Sequence, residues 1–344
     1  MIVSAVSPRS REPSRTTAAG GAFVDERLDA ARAVGRGLAE HVDDPDAFVV
    51  ELDAGLRTLA DPSFEAEIRR VTPGIASVLG VRTPLLDAVM GSLVRGLRGC
   101  APARILPVVD RLLREPIAEQ QWIAIRLMGR TLDADPERTW QLIRFAARQA
   151  TEWITVDRLS EPCARGILRE PYRWAELEQL VYSPSRWERR LVGSTIARMP
   201  FEQRDGGRRP EVASRGLEVI GTLIGDAEPD VQKALSWALR SLVIVDRAAV
   251  GAFCVREAGV AGRTDDGHRA WVLRDALAKL DPADAAAIAA SLTGVRRRAG
   301  APSTSDAAAE AASFGRGPST SDAASFGRRP STTDHAATVE HAPT

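Results

Sequence analysis

Val231-Gln232-Lys233-Ala234-Leu235-Ser236-Trp237-Ala238-Leu239-Arg240-Ser241-Leu242 places apolar side chains at 235, 239 and 242. Steps of four and three put them on one stripe of a helix. The same steps recur from Phe23–His41 through Asp281–Leu292, in segments of similar length separated by short breaks rich in Pro, Gly and Asp. No stretch between them alternates β-branched residues with polar ones, so the expected fold is all-α. A series of similar helices with short joints has a simple way to bury every apolar stripe: paired helices stacked as a solenoid. Pro162 is expected to bend or restart the helix around it, because proline cannot donate to the carbonyl of Arg158.

The ends differ from this body. Residues 1–21 are polar and read as an N-terminal arm, 22–297 as the helical domain, and 298–344 as a low-complexity tail. Within the tail Pro302-Ser303-Thr304-Ser305-Asp306 recurs at Pro318–Asp322, and Pro330-Ser331-Thr332-Thr333-Asp334 follows. Formal net charge is zero, which excludes neither nucleic acid nor protein as a partner. Of 46 basic residues only Lys233 and Lys279 are lysine. Arginine offers always-ionised, forked donors suited to phosphate. Cys100, Cys163 and Cys254 lie far apart, no Cys-x-x-Cys occurs and the four histidines are scattered, so neither a metal site nor a cofactor is expected. Without a secretory leader or a membrane-length apolar run, a cytoplasmic, nucleoid-associated protein is the expectation.

Two further patches join the opening stretch. In Trp153-Ile154-Thr155-Val156-Asp157 an indole and a carboxylate four residues apart share a helix face. Alone, that spacing equally describes a core tryptophan beside a capping aspartate. Trp187-Glu188-Arg189-Arg190 places two guanidinium groups about 100° apart around a helix, so they face different partners. In the opening stretch Lys233, Trp237 and Arg240 share one stripe, and two cations flanking an indole suit phosphates and a sugar better than a buried face.

Together with Leu79-Gly80-Val81-Arg82-Thr83-Pro84, these patches resemble, in order, the AlkD-like DNA alkylation repair glycosylases. The resemblance implies a right-handed α-solenoid of HEAT-like helix pairs whose concave face grips duplex DNA containing alkylated purines. It implies Asp157, Trp153 and Trp237 as catalytic residues and Arg190, Lys233, Arg240 and Arg189 as DNA-binding ones, in a monomer that hydrolyses the N-glycosidic bond of N3- or N7-alkylpurines. Ile154 stands where the family has an acidic residue. A non-catalytic HEAT-like DNA-binding protein and a protein–protein scaffold are the alternatives.

Overall fold

The computed structural model describes residues 15–202 and 204–306, with the side chains of 20–202 and 206–306. The helices are α1 (Arg15–Leu38), α2 (Pro45–Thr58), α3 (Pro62–Val71), α4 (Thr83–Gly96), α5 (Pro102–Leu113), α6 (Ala118–Thr131), α7 (Pro136–Gln149) and α8 (Trp153–Arg169). They continue with α9 (Trp174–Gln179), α10 (Arg186–Arg198), a single turn α11 (Arg204–Gly207), α12 (Pro210–Leu223), α13 (Pro229–Leu242), α14 (Arg247–Thr264), α15 (Gly267–Ala276) and α16 (Pro282–Ser291). Among the described residues no strand forms; the β pairing is limited to the isolated bridges Ala60–Val81 and Ser77–Ile117.

Local chemistry starts the helices. Asp44-Pro45, Asp61-Pro62 and Asp135-Pro136 each combine an N-cap carboxylate with a proline whose missing N–H is not needed in the first turn. The helices then stack in two layers. One runs α1–α4–α6–α8–α10–α13–α15, each packed on the next, and the other includes α2–α5–α7 and α12–α14–α16. Between those two runs α9 and the turn Leu180–Tyr182 fill the second layer, tied to α7 by the Arg144–Glu176 ion pair. The core lies between the layers, where the stripe Leu235, Leu239 and Leu242 is fully buried. This is a stack of helix pairs, as the periodicity suggests, and a HEAT-like one, as the resemblance implies.

Four expectations need adjustment. Helix α3 is additional. Helix α8 runs through Pro162 without restarting. Helix α1 already begins at Arg15, inside the segment read as an arm. At the other end the chain does not leave the body at 298. Residues 299–306 fold back on it, because Thr304 N–H donates to Gly225 O (2.8 Å) and the Thr304 hydroxyl to Asp266 (2.6 Å). The remainder of the expected tail, 307–344, lies outside the described residues.

The Leu79–Pro84 motif is an internal anchor. Gly80 takes φ +79°, and a Cβ there would approach Asp61 O to 2.6 Å. That backbone turns three successive N–H groups, of Leu79, Gly80 and Val81, onto the Glu119 carboxylate at 3.1, 2.8 and 3.2 Å. Glu119 is fully buried. Arg82 then pairs with Asp61 at 2.7 Å, locking the start of α4 to the start of α3.

Candidate active site on one helix layer

Helices α8, α10 and α13 are successive members of the same layer, and every candidate residue lies on one of them. Glu152 caps α8, accepting from Thr155 N–H (2.8 Å) and Ile154 N–H. Burial pushes the Glu152 carboxyl above its ordinary range, against the pull of those hydrogen bonds. The Trp153 indole N–H reaches back to Val71 O at 3.3 Å, pinning the start of α8 to the end of α3. Further along α8, Thr155 accepts from the Trp122 indole (2.9 Å), and Arg158 stacks on that ring, its centre 4.5 Å away.

Asp157 faces α10. It accepts Arg190 Nε at 3.1 Å and Nη2 at 2.7 Å, a two-point fork, and the Ser194 hydroxyl at 2.6 Å. Arg190 Nη1 donates to Asp230 O at 2.6 Å, on the first turn of α13. Helices α10 and α13 come close because Gly193 has no side chain: a Cβ there would lie 2.8 Å from the Ala234 backbone. The Arg190 guanidinium also sits 5.9 Å from the centre of the Trp153 ring. One arginine thus joins three helices around one carboxylate. The Asp157 side chain keeps 22% of its surface exposed, against 7% for Arg190. An oriented carboxylate therefore stands at the surface with its partners buried behind it.

The cations depart from their expected roles. Arg190, expected on a phosphate, is buried and turned inward on Asp157 and Asp230. Arg189, also expected at DNA, pairs with buried Asp226 at 2.7 Å and donates to Ser183 O. Arg240 pairs with Asp275, whose carboxyl is pushed up by burial but held below its usual range overall by hydrogen bonds from Ser236 and Arg240. In each case a carboxylate one helix pair away neutralises the arginine. Lys233 is different: it is exposed and, among the described residues, forms no ion pair.

Trp237 is half-buried on α13 and packs against the core. Among the described residues no hydrogen bond or ring contact joins it to Asp157 or Arg190. Of the two tryptophans that the resemblance implies as catalytic, Trp153 is the one that contacts this cluster, at Arg190. Sequence reading missed Ser194, although its spacing of four from Arg190 puts both on one face of α10. It also missed Glu152 and Glu119, whose roles depend on backbone N–H groups that sequence does not display.

Two of the three thiols are poor nucleophiles, since burial pushes Cys163 and Cys254 to about 12. Among the described residues no cluster of His, Cys, Asp and Glu has the makings of a metal site, and no helix is long and apolar enough to cross a membrane. A family model described as "DNA alkylation repair enzyme" matches residues 52–280, more than half of the chain and a span containing all three site helices. A comparison with curated proteins finds no match.

Proposed function

This chain belongs to the DNA alkylation repair enzyme family, and from that premise we propose that it is a monofunctional glycosylase releasing N3- or N7-alkylated purines from duplex DNA. The observation that carries the reading is Asp157, partly exposed yet held by the Arg190 fork and the Ser194 hydroxyl. An alkylated purine is cationic and departs readily. The C1′–N bond breaks with its electron pair leaving on the base, and positive charge develops on the deoxyribose. Water then forms the C1′–O bond and gives up a proton, which Asp157 or solvent accepts. The products are neutral alkylpurine and an abasic sugar.

A bare carboxylate ~4 Å from C1′ at an effective dielectric of ~20 stabilises that charge by about 4 kcal/mol. Arg190 stands behind Asp157 and opposes part of it. At roughly 8 Å its repulsion is about 2 kcal/mol, leaving a net ~2 kcal/mol, or about thirtyfold in rate. Arg190 is accordingly a positioning residue that fixes the Asp157 carboxylate. Trp153, beside it, offers an indole face to the cationic sugar, worth roughly 0.5–2 kcal/mol. Trp237 and Lys233 extend the surface along α13 toward the flanking backbone. Formation of abasic sites in duplex DNA carrying 7-methylguanine or 3-methyladenine tests the reading; no rise above the protein-free rate would refute it.

A scaffold reading draws on the pairing of Arg189 and Arg240 with Asp226 and Asp275, which lowers the free positive charge of this layer. The two separate at Lys233. Lys233→Ala is expected to weaken binding to damaged and undamaged duplex alike and to flatten the slope of log affinity against log salt by about 0.9, one phosphate contact. Equilibrium binding across a salt series measures it. An unchanged slope in a folded Lys233→Ala protein would leave α13 without a phosphate contact at that position.

A further inference from the structure

The folded-back segment 299–306 occupies a built seat. Gly225 O accepts Thr304 N–H at 2.8 Å and the Ser303 hydroxyl at 3.1 Å. Asp266 accepts the Thr304 hydroxyl at 2.6 Å. His268 Nε2 lies 3.2 Å from Ala301 O, and its Nδ1 lies 3.0 Å from the Gln232 amide. Arg297 fixes the approach by donating to Gln232 Oε1 at 2.8 Å. Ser305 is buried, and the Ser303 and Ser305 hydroxyls meet at 3.0 Å, so the segment also carries its own turn.

Each of these contacts to Gly225 and Asp266, and the one to His268 Nε2, is made by the Pro-Ser-Thr-Ser run or by the backbone carbonyl just before it. That run is what the chain repeats. Pro318-Ser319-Thr320-Ser321-Asp322 duplicates it, with Gly317 to supply the carbonyl. Pro330-Ser331-Thr332-Thr333-Asp334 differs by one methyl, at the position of buried Ser305. We propose that the groove formed by Gly225, Asp266 and His268 is a peptide-binding site for the Pro-Ser-Thr-Ser/Thr-Asp sequence, and that the three copies in this chain are alternative occupants of it.

Loop closure ranks them. Seven residues separate Thr304 from the Arg297 anchor, against 23 for Thr320 and 35 for Thr332. With closure probability falling as the three-halves power of length, the second and third copies are about sixfold and elevenfold less favoured than the first. The third falls further because the extra methyl of Thr333 must enter the place of Ser305. The first copy dominates, which matches the arrangement in the structure. Because the exchange is intramolecular, it is independent of protein concentration.

Amide hydrogen exchange on the full-length chain tests the proposal. In the unaltered protein the Thr304 amide exchanges more slowly than in a free peptide. Thr304→Pro removes both the donor N–H and the hydroxyl. In that variant the Thr320 amide is expected to become protected, to a level about sixfold below that of Thr304 originally, with Thr332 lower still. Gly225→Ala provides a second route, since its Cβ would lie 2.3 Å from the Thr304 hydroxyl and 2.6 Å from the Thr304 carbonyl carbon. It is expected to release all three copies to free-peptide rates while the helical amides stay protected. Free-peptide exchange at both Thr320 and Thr332 in Thr304→Pro would overturn the proposal. So would protection that appears only as protein concentration rises, or strap protection that survives Gly225→Ala.

Discussion

Glu119→Ala is expected to lower the unfolding temperature by roughly 10–20 °C, a loss of about 3–9 kcal/mol. The carboxylate is the acceptor for three backbone N–H groups inside the protein, and alanine leaves all three without a partner. Each orphaned donor costs about 1–3 kcal/mol, and the removed side-chain volume adds a cavity. Glu119→Gln separates shape from charge. Its amide oxygen can take the place of Oε1, which alone reaches all three donors, so only the charge-assisted part is lost, about 1 kcal/mol. Thermal or denaturant unfolding of the two variants measures the difference. Equal stabilities for Glu119→Ala and the unaltered protein would show that the Leu79–Val81 turn does not depend on this acceptor. Because the turn feeds α4, and α4 carries the layer on to α6 and α8, its loss is also expected to loosen the start of α8.

Asp157→Asn is expected to slow release of alkylated base by about thirtyfold to a thousandfold. The lower figure takes the full opposing field of Arg190, and the upper neglects it. The substitution also leaves the buried Arg190 guanidinium without its counter-charge, at a cost of up to about 3–5 kcal/mol for breaking a buried pair. The rate is therefore to be read at a temperature where the variant remains folded by circular dichroism. Affinity for duplex DNA should hold or rise slightly, since a charge that repels phosphate has gone. Near-unaltered base release from folded Asp157→Asn would remove this carboxylate from the chemistry and leave Arg190, Ser194 and Asp157 as a structural tie between helices.

The helical layers were legible because burial in a two-layer stack imposes the three- and four-residue step directly on the sequence. Helix α3 escaped because Glu65, Glu67, Arg69 and Arg70 crowd its apolar pattern, with Ile68 its one buried residue. The Asp61-Pro62 start was the available signal. At the site, Asp157 was legible from its register with Trp153 on one helix taken together with the family resemblance. The fate of the arginines was not, because it is decided between helices. Arg190 meets Asp157 across 33 residues, Arg189 meets Asp226 across 37, and Arg240 meets Asp275 across 35. Those separations approximate one helix pair of the stack. Scanning for opposite charges at that period, rather than counting cations on a stripe, would have shown carboxylates within reach of three of the four expected phosphate contacts; it would not have set Lys233 apart, because Asp266 lies 33 residues on and is engaged by Arg269 and Thr304 instead.

The measurement that bears most directly on the proposed chemistry is the quantity of free 7-methylguanine released from a duplex by excess full-length protein, against the same duplex without protein. Time-dependent release of the intact base, leaving an unbroken strand with an abasic site, is the expected result; strand breakage is not expected because no lysine stands in the Asp157 cluster to form a Schiff base. Saturable binding to that duplex with release no faster than the spontaneous rate would contradict it, and would make this chain a DNA-binding member of its family rather than a glycosylase.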